Sequence, residues 1–417
     1  MNVHEKKVDL KQQKSVVYLL AGLAALGTLS TNIILPSFPS ISADLNVPSI
    51  RLSLTLSVFF LVFAGGQLLV GPLSDRIGRS IPVVVGLVVF VIGSLICSMA
   101  QDFNMLLAGR VVQAIGVCAA SVLSRAIARD LFEGPSLMRA MSFMMIASAA
   151  APGFSPLFGA MLERTLGWPA TFIFTAVCGA VIGGIYLFTI GETHVPQVCA
   201  SKRKQGAFLS YVSVGTSKTF LGPTLASAFI MGGLFGFFSA APSILLGQMG
   251  LSTLGIGWFF AATVFIVFAA GAVASRLVKQ SSSTLVSVVG LIIAIFGGSG
   301  LILSALLSDE NLIYFTLATA VFLFGMGLSL PLCTAQALIP FAHLAGAASS
   351  LLGFFQMMGA AIATGLIAIL STTPSVSLGL VQAVGCLLGL ISLLFSLSST
   401  NKKQTSKSIG YSSSVSI

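Results

Sequence analysis

The stretch LLAGRVVQAIG, residues 106–116, places a single arginine inside an otherwise apolar run. The guanidinium of Arg110 stays charged at physiological pH and carries five donors, so it can bind a carboxylate, a phosphate or carbonyl oxygens. Gln113 lies three residues later and therefore on the same face of a helix. Because a lone charge inside an apolar layer is costly, Arg110 predicts a polar partner, a wet cavity, or a side chain that reaches the nearest polar boundary.

Acidic residues are the groups that could pair with Arg110 or carry protons, and the chain has eleven. They fall at the ends of apolar runs or beyond them, not at the depth of Arg110: Glu5, Asp9, Asp44, Asp75, Asp102, Asp130, Glu133, Glu163, Glu192, Asp309 and Glu310. Asp102 and Glu163 could approach Arg110 from the ends of their runs. Two interpretations remain open. Either an anionic group of a bound molecule meets Arg110, or Arg110 bonds only to helix carbonyls and Asn32 and is structural.

The composition indicates which elements position these residues. The chain has 417 residues, of which 56% are hydrophobic and 8% are charged, and its mean hydropathy is +1.03. Soluble domains carry about 25% charged residues, so we expect this chain to be embedded in a lipid bilayer. The formal net charge of +10 does not indicate a nucleic-acid partner, because the basic residues form no patch with interleaved aromatics.

Sequence motifs of enzymes are absent. There is no metal-ligand spacing, no Ser/His/Asp set and no glycine-rich phosphate loop, and the three histidines, His4, His194 and His343, lie outside the apolar runs. The chain also lacks the nucleotide-binding domain that an ATP-driven pump needs. We therefore expect no enzyme, no metal and no cofactor. The six cysteines show no CxxC spacing and are interpreted as apolar packing residues.

Twelve apolar runs are long enough to cross a bilayer core, which needs about 20 residues per helix. Their high content of Gly and Ala suits close helix packing in lipid. They lie near residues 16–37, 50–72, 81–100, 105–125, 140–162, 169–190, 219–247, 253–275, 283–307, 313–338, 345–370 and 377–397.

The distribution of lysine and arginine predicts the orientation. If the N-terminus is cytoplasmic, all but Arg51, Arg110 and Arg164 of the 21 basic residues fall on the cytoplasmic side, as the positive-inside rule requires. Both termini are then cytoplasmic. A cleaved signal peptide is the alternative for the first run, but its length of about 22 residues is too great for the apolar region of such a peptide.

A polar interval between the sixth and seventh runs divides the chain six plus six. We expect a cytoplasmic N-terminal segment (1–15), a first six-helix bundle (16–190), a cytoplasmic linker (191–218), a second six-helix bundle (219–397) and a disordered cytoplasmic tail (398–417). Weak internal similarity supports a duplication, since GVCAASVLSRAIA from Gly116 aligns with GLSLPLCTAQALI from Gly327. Asn32–Pro36 likewise resembles Ser239–Pro242. Parallel six-helix repeats with a site between them are a transporter architecture.

The loop GPLSDRIGRS, residues 71–80, is the most specific stretch of the sequence. Gly71 permits close helix approach, Asp75 can pair with a basic residue, and Gly78 allows a tight turn between Arg76 and Arg79. The arrangement is typical of a charged latch between helix bundles. The alternative is an ordinary charged turn.

This loop resembles the G-x-L-a-D-r-x-G-r-k motif of the major facilitator superfamily, with Ser80 in place of the last basic residue. RVVQAIG resembles the R-x-x-Q-G-x-G motif of the twelve-helix drug:proton antiporter branch at Arg110, Gln113 and Gly116. APGFSPLFGAML resembles the helix-five antiporter motif, on which the matching positions are Pro152, Pro156 and Gly159. SRAIARDLFEG, FFSAAPSILLGQMGLS and AGAASSLLGFFQMMGAA are similar to segments of the Bcr/CflA (bicyclomycin-resistance-like) group. The resemblance covers about residues 16–400.

The resemblance implies an all-α integral membrane protein with twelve transmembrane helices in two parallel six-helix pseudo-repeats. It further implies a monomeric secondary transporter of the inner membrane that alternates between inward- and outward-open states and expels a small-molecule drug or metabolite, driven by a proton gradient. The sequence departs from the group at Asn32, where the group usually carries an acid. Because an amide does not titrate near neutral pH, proton coupling would need an acid near the ends of the runs, such as Glu163 or Asp102, or a titratable group of the substrate.

Several other polar and aromatic residues are predicted to line a largely apolar cavity that suits amphipathic ligands: Gln67, Ser239, Gln336, Phe355 and Gln356. Each could instead be a packing residue, and the proline motif of helix five could be a kink that serves packing alone. Alternatives to a drug exporter are an exporter or importer of a metabolite or siderophore, including an anionic one, a facilitator without proton coupling, and a membrane receptor.

Overall fold

The computed structural model describes residues 10–193, 207–307 and 311–412. Within these residues, twelve helices are long and apolar enough to cross a membrane. In chain order they are α1 (Leu10–Asn32), α2 (Ser53–Ile77), α3 (Ser80–Ser98), α4 (Phe103–Leu131), α5 (Gly134–Leu166), α6 (Pro169–Thr189), α7 (Lys218–Pro242), α8 (Thr253–Leu277), α9 (Ser283–Leu306), α10 (Leu312–Leu338), α11 (Ala345–Ile369) and α12 (Pro374–Ser412). The prediction of twelve spanning helices is confirmed.

Local signals in the sequence set where several helices begin. The side chain of Asp102 accepts a hydrogen bond from Met105 N at 2.8 Å at the start of α4. The Ser282 side chain accepts a hydrogen bond from Leu285 N at the start of α9, and the Asn311 side chain accepts one from Ile313 N at the start of α10. These side chains satisfy backbone donors that have no partner inside the helix.

Two spans continue past a proline into irregular helical segments. After α1, a 3₁₀ turn at Leu35–Ser37 leads into the helix Phe38–Asp44. After α7, which ends at Pro242, the chain forms the π-helical segment Ser243–Gln248. A proline removes a backbone donor and bends the helix, so the breaks fall at the two positions that the sequence comparison aligned.

The connecting regions and termini are only partly described. The helix Ala207–Gly215 lies within the predicted linker, of which residues 194–206 fall outside the described residues, as do residues 1–9 and 413–417. α12 continues to Ser412, whereas we expected disorder from residue 398. No proline or glycine lies between Gly389 and Gly410 to end the helix.

The chain divides into two compact units. Unit 1 comprises Met1–Ser49, Gly65–Ala200 and Leu251–Val264, and unit 2 comprises Ile50–Ala64, Ser201–Gly250 and Phe265–Ile417. The first six helices supply most of unit 1, and the last six supply most of unit 2. Two segments are exchanged, because the first half of α2 belongs to unit 2 and the first half of α8 belongs to unit 1.

Close glycine contacts hold the helices together within each unit. In unit 1, Gly86 of α3 faces the Gly116 carbonyl of α4, and Gly93 faces the backbone nitrogen of Gln113. These glycines leave no room for a Cβ, so the backbones approach as closely as small residues allow in membrane helices.

Unit 2 repeats this pattern. Gly290 of α9 faces the Gly325 carbonyl of α10, and Gly297 faces the backbone nitrogen of Phe322. The contact between α9 and α10 therefore matches the contact between α3 and α4, with Gly297 in the place of Gly93 and Phe322 in the place of Gln113. Gly325 thus corresponds to Gly116, two residues before the Gly327 that the sequence alignment paired with it.

Each exchanged segment packs against helices of the unit that it joins. In unit 2, Ser57 Oγ of α2 donates to the Ala361 carbonyl of α11 at 2.7 Å. The ring centroids of Phe60 and Phe235 are 4.3 Å apart. In unit 1, Gly257 of α8 lies against Leu157 of α5.

Consecutive spans cross the membrane in opposite directions. We call the side on which α1 begins the near side and the opposite side the far side. The loop 71–80 and the residues around Asp130 then lie on the near side, and Asp102 and Glu163 lie on the far side.

Candidate functional site

Arg110 lies on α4 inside unit 1 and has 0% of its surface exposed. Its Nη1 donates to the Ser30 carbonyl oxygen of α1 at 3.1 Å and to Gln113 Oε1 at 2.6 Å. The guanidinium carbon is 5.9 Å from the centroid of the Phe172 ring on α6, within the range of a cation–π contact. One side chain therefore joins α1, α4 and α6.

Gln113 extends this network to α3. Its Nε2 donates to Ser94 Oγ at 2.8 Å, and Thr175 Oγ1 of α6 lies 3.5 Å from the same oxygen. We refer to Ser30, Ser94, Arg110, Gln113 and Thr175 as the polar core of unit 1. A connected buried network of this kind stabilises a structure when its members are satisfied, because each bond is stronger in a medium of low dielectric.

Full burial excludes the interpretation in which Arg110 reaches out to the lipid headgroups. The guanidinium donates to a main-chain carbonyl, which the structural interpretation includes, and also to the Gln113 side chain, which it does not include. Asn32 is also buried, and its Nδ2 donates within α1 to the Thr28 carbonyl at 2.8 Å and to Thr31 Oγ1 at 3.1 Å. A direct contact of Arg110, Gln113 or Asn32 with a substrate stays a prediction.

The matching place in unit 2 has no charge. Phe322 replaces Gln113, and three residues before it Thr319 replaces Arg110. Thr319 is buried, and its Oγ1 has no hydrogen-bond partner among the described residues. Gln382 of α12 packs beside Gly298 and donates to the Gly233 carbonyl of α7 at 3.4 Å. A phenyl ring, a hydroxyl and an amide thus fill the space that the guanidinium network fills in unit 1.

The predicted cavity residues are distributed over both units. Gln356 Nε2 of α11 lies 3.4 Å from both Ser227 Oγ and Thr334 Oγ1. Gln336 donates to Ser287 Oγ at 3.1 Å. Ser239 is fully buried, and its Oγ has no partner among the described residues. The other two, Gln67 of α2 and Phe355 of α11, are partly exposed, and a substrate contact stays a prediction for all of them.

The loop between α2 and α3 forms a charged cluster on the near side. Arg79 Nη1 lies 2.9 Å from Asp75 Oδ1, and Arg79 Nε lies 3.3 Å from Asp130 Oδ2 at the end of α4. Gly78 adopts a φ of +92°, which a side chain would strain. Arg76 is exposed, and Gly71 is partly buried. The loop therefore joins α2 to α4 through one arginine.

Glu192, just after α6, is a member of this cluster that the motif did not indicate. Its Oε1 accepts from Arg79 N at 2.8 Å, and its Oε2 accepts from Ser80 N at 3.1 Å. The carboxylate thus caps the first turn of α3, where the helix dipole favours negative charge. A Cβ on Gly78 would lie 2.5 Å from Glu192 Oε2, so glycine is needed for this approach. The only signal in the sequence is an acid directly after the sixth run.

The proline motif of α5 faces its neighbours within unit 1. Pro156 is buried, Pro152 is partly buried, and Gly159 lies directly against the Ile33 carbonyl at the far end of α1. Gly159 therefore brings α5 and α1 into backbone contact one residue after Asn32.

Comparison with known proteins decides the family. The family model of the Major Facilitator Superfamily matches residues 20–364. The chain belongs to the major facilitator superfamily.

Relatives within the superfamily agree with the predicted branch. Multidrug resistance protein D of Escherichia coli is 28% identical, with 92% of this chain and 96% of that protein covered. The bicyclomycin resistance protein homolog of Haemophilus influenzae is 29% identical, with 86% and 91% covered. A crystal structure of a bacterial homolog of the human lysosomal transporter Spinster superposes with a TM-score of 0.72 at 16% identity and covers 93% of this chain and 96% of its own. The predicted fold and superfamily are confirmed.

This member of the superfamily also has an open cavity on the near half of α5. Its volume is about 400 Å³, and it is lined by Pro135, Met138, Arg139, Ser142, Phe143 and Ile146. Arg139 is exposed there beside thioether, phenyl and aliphatic side chains. Met138, Phe143 and Ile146 are exposed on this span, so the cavity is an open depression on the surface of α5.

Proposed function

We propose that this chain is a proton-linked exporter of small amphipathic molecules that works by alternating access in the inner membrane. In this orientation the near side and both termini are cytoplasmic, which agrees with the distribution of lysine and arginine. Relatives named for multidrug resistance and for bicyclomycin resistance support drugs as substrates. No cofactor is needed, because the proton gradient supplies the driving force.

The exchange of helix halves between the two units is the observation that carries this proposal. Ser57 and Phe60, from the second span, contact Ala361 and Phe235 of the last six helices within unit 2. Val264 and Gly257, from the eighth span, contact α5 within unit 1. A span that is divided between two units has to bend or shift when the units move, as alternating access between repeats requires.

The cavity on α5 favours a substrate with an acidic group. The exposed guanidinium of Arg139 can bind a carboxylate or phosphate, while Met138, Phe143 and Ile146 can hold an apolar body. Arg110 adds a second positive charge inside the same unit. We therefore expect amphipathic anions to be accepted along with neutral drugs.

Transport into proteoliposomes tests the function. The purified protein is reconstituted, an inward-acidic pH gradient is imposed, and uptake of ethidium, bicyclomycin and carboxyfluorescein is followed with and without a protonophore. We expect at least one probe to accumulate, and the protonophore to abolish the accumulation. Downhill flux that ignores the gradient would indicate a facilitator, and the absence of flux for all probes would contradict drug export. Growth of a deletion strain under iron limitation distinguishes a siderophore carrier from a drug exporter, because only the loss of a siderophore carrier would slow growth without iron.

A further inference from the structure

The carboxyl group of Glu163, one turn before the end of α5, has two unlike oxygens. Oε1 accepts a hydrogen bond from Ser40 Oγ at 2.5 Å. Oε2 is buried and has no hydrogen-bond partner among the described residues. A protonated carboxyl group carries one O–H donor. A proton held by Glu163 would therefore sit on Oε2 and not on the oxygen that accepts from Ser40.

The position of Glu163 joins it to the end of α1. Gly159, one helical turn earlier, lies against the Ile33 carbonyl, and one turn rises about 5.4 Å. Glu163 therefore lies about one turn farther out than Asn32, on the face of α5 that packs against α1 and the helix Phe38–Asp44. Asn32 cannot take up a proton there, and Glu163 can.

The other far-side acids of the described residues each accept a hydrogen bond from a nearby donor. Asp102 caps α4 through Met105 N, and Asp44 Oδ2 accepts from Trp168 Nε1 at 2.7 Å. Glu163 is the only described acid with a buried carboxyl oxygen that lacks a hydrogen-bond partner.

Few charged groups surround Glu163 within unit 1. Arg164 follows it on α5 and is exposed, and Asp44 ends the helix that carries Ser40. Arg110 and Asp102 are the charged residues in the far half of α4. The turn Leu35–Ser37, the far halves of α1 and α6, and the segment Leu251–Val264 contain none. The charged residues on these elements are therefore two acids, Asp44 and Asp102, and two bases, Arg164 and Arg110.

We propose that Glu163 carries the proton that this transporter exchanges for its substrate, an inference that rests on the proposed proton-linked function. A proton from the outer water binds Oε2 and leaves the same oxygen for water on the cytoplasmic side. Hydrogen bonds to a charged carboxylate are stronger than those to a neutral acid. Uptake of the proton therefore weakens the bond from Ser40 and frees the helix Phe38–Asp44 from α5, whereas release of the proton restores the bond.

Infrared spectroscopy tests proton uptake without a substrate. The carbonyl band of protonated carboxyl groups is followed as a function of pH in the reconstituted wild type and in Glu163→Gln, with Asp102→Asn as the matched far-side control. We expect one titrating band to disappear in Glu163→Gln and to persist in Asp102→Asn. In Ser40→Ala the frequency of this band should rise, because the carboxyl group has lost the hydrogen bond from Ser40. An unchanged set of bands in Glu163→Gln would overturn the proposal.

Transport assays separate this proposal from the proposed function. Exchange of ethidium without a pH gradient shows that a variant is folded and binds substrate. We expect Glu163→Gln to retain this exchange and to lose pH-driven accumulation at least tenfold, while Asp102→Asn retains both. If a pH gradient drives ethidium accumulation equally well in the wild type and in Glu163→Gln, the proposed role of Glu163 as proton carrier is wrong. If the wild type itself ignores the gradient, the proposed proton linkage is wrong.

Discussion

In unit 1 the contact between α3 and α4 lies beside a guanidinium, whereas in unit 2 the matching contact between α9 and α10 lies beside a phenyl ring and a hydroxyl. The backbone contacts are alike, since Gly93 and Gly297 each face the backbone nitrogen of the residue that differs, Gln113 or Phe322. Arg110 joins α4 to α1 through a bond of 3.1 Å to the Ser30 carbonyl and to α6 through its contact with the Phe172 ring. Gln382 joins α12 to α7 through a neutral bond of 3.4 Å.

This difference shows that a duplicated frame does not imply duplicated chemistry. The glycine contacts are set by backbone approach and tolerate different side chains beside them. The charge is confined to the core of unit 1, and the acid with the partly unsatisfied carboxyl lies in the same unit. We infer that unit 1 carries the proton-linked part of the cycle and that unit 2 is its neutral counterpart.

The largest effect is expected from locking one exchanged segment. Ser57 Cβ lies 3.9 Å from the position of a Cβ on Gly365, and disulfides join Cβ atoms about 3.5–4.5 Å apart. Ser57→Cys with Gly365→Cys should form a disulfide on oxidation and reduce transport at least tenfold, with recovery after reduction. The single variants are the controls. Full transport by protein that is shown to be cross-linked would mean that this segment does not need to move.

The next largest effect is expected at Arg110. Arg110→Ala leaves the Ser30 carbonyl and Gln113 Oε1 without this donor and opens a cavity, so we expect the free energy of unfolding to fall by about 2–4 kcal/mol. Arg110→Lys should lose less, because it keeps a donor but not the planar fork. Unfolding in mixed micelles measures both. A loss below about 0.5 kcal/mol in Arg110→Ala would contradict the structural role of the guanidinium, and loss of transport without loss of stability would favour a substrate contact.

A smaller effect is expected where the two units cap corresponding helices differently. The first turn of α3 is capped by Glu192 from beyond α6, whereas the first turn of α9 is capped by its own preceding residue, Ser282. Glu192→Gln and Ser282→Ala should each lower the free energy of unfolding by about 1 kcal/mol. Only Glu192→Gln should speed amide exchange on both sides of the loop 71–80. Equal exchange in the two variants would show that Glu192 does not hold the loop.

The smallest effect is expected at Thr319. Its hydroxyl has no partner among the described residues, so Thr319→Val removes an unsatisfied group at nearly constant volume. We expect the free energy of unfolding to stay the same or to rise by up to about 1 kcal/mol. A loss of more than about 1 kcal/mol in the same unfolding assay would show that this core of unit 2 depends on a polar group after all.

The sequence predicts those features that depend on local pattern. Apolar length gives the twelve spans, and the loop from Gly71 to Arg79 indicates the superfamily. It does not predict features that depend on distant pairing. The bond from Arg110 to a carbonyl, the cap from Glu192 and the exchange of half-helices join residues far apart in the chain. Any residue can supply a main-chain carbonyl, so the sequence does not show which one accepts from Arg110. Hydropathy is the same for a buried and a lipid-facing apolar helix face, so it does not show which helices pack together.

Substrate-driven proton movement tests proton-linked export most directly. Proteoliposomes that contain a trapped pH indicator receive a gradient of ethidium with no initial pH gradient. An antiporter must move protons opposite to ethidium, so the interior pH should rise as ethidium enters, and the change should vanish with a protonophore. Entry of ethidium at a constant interior pH would contradict the account.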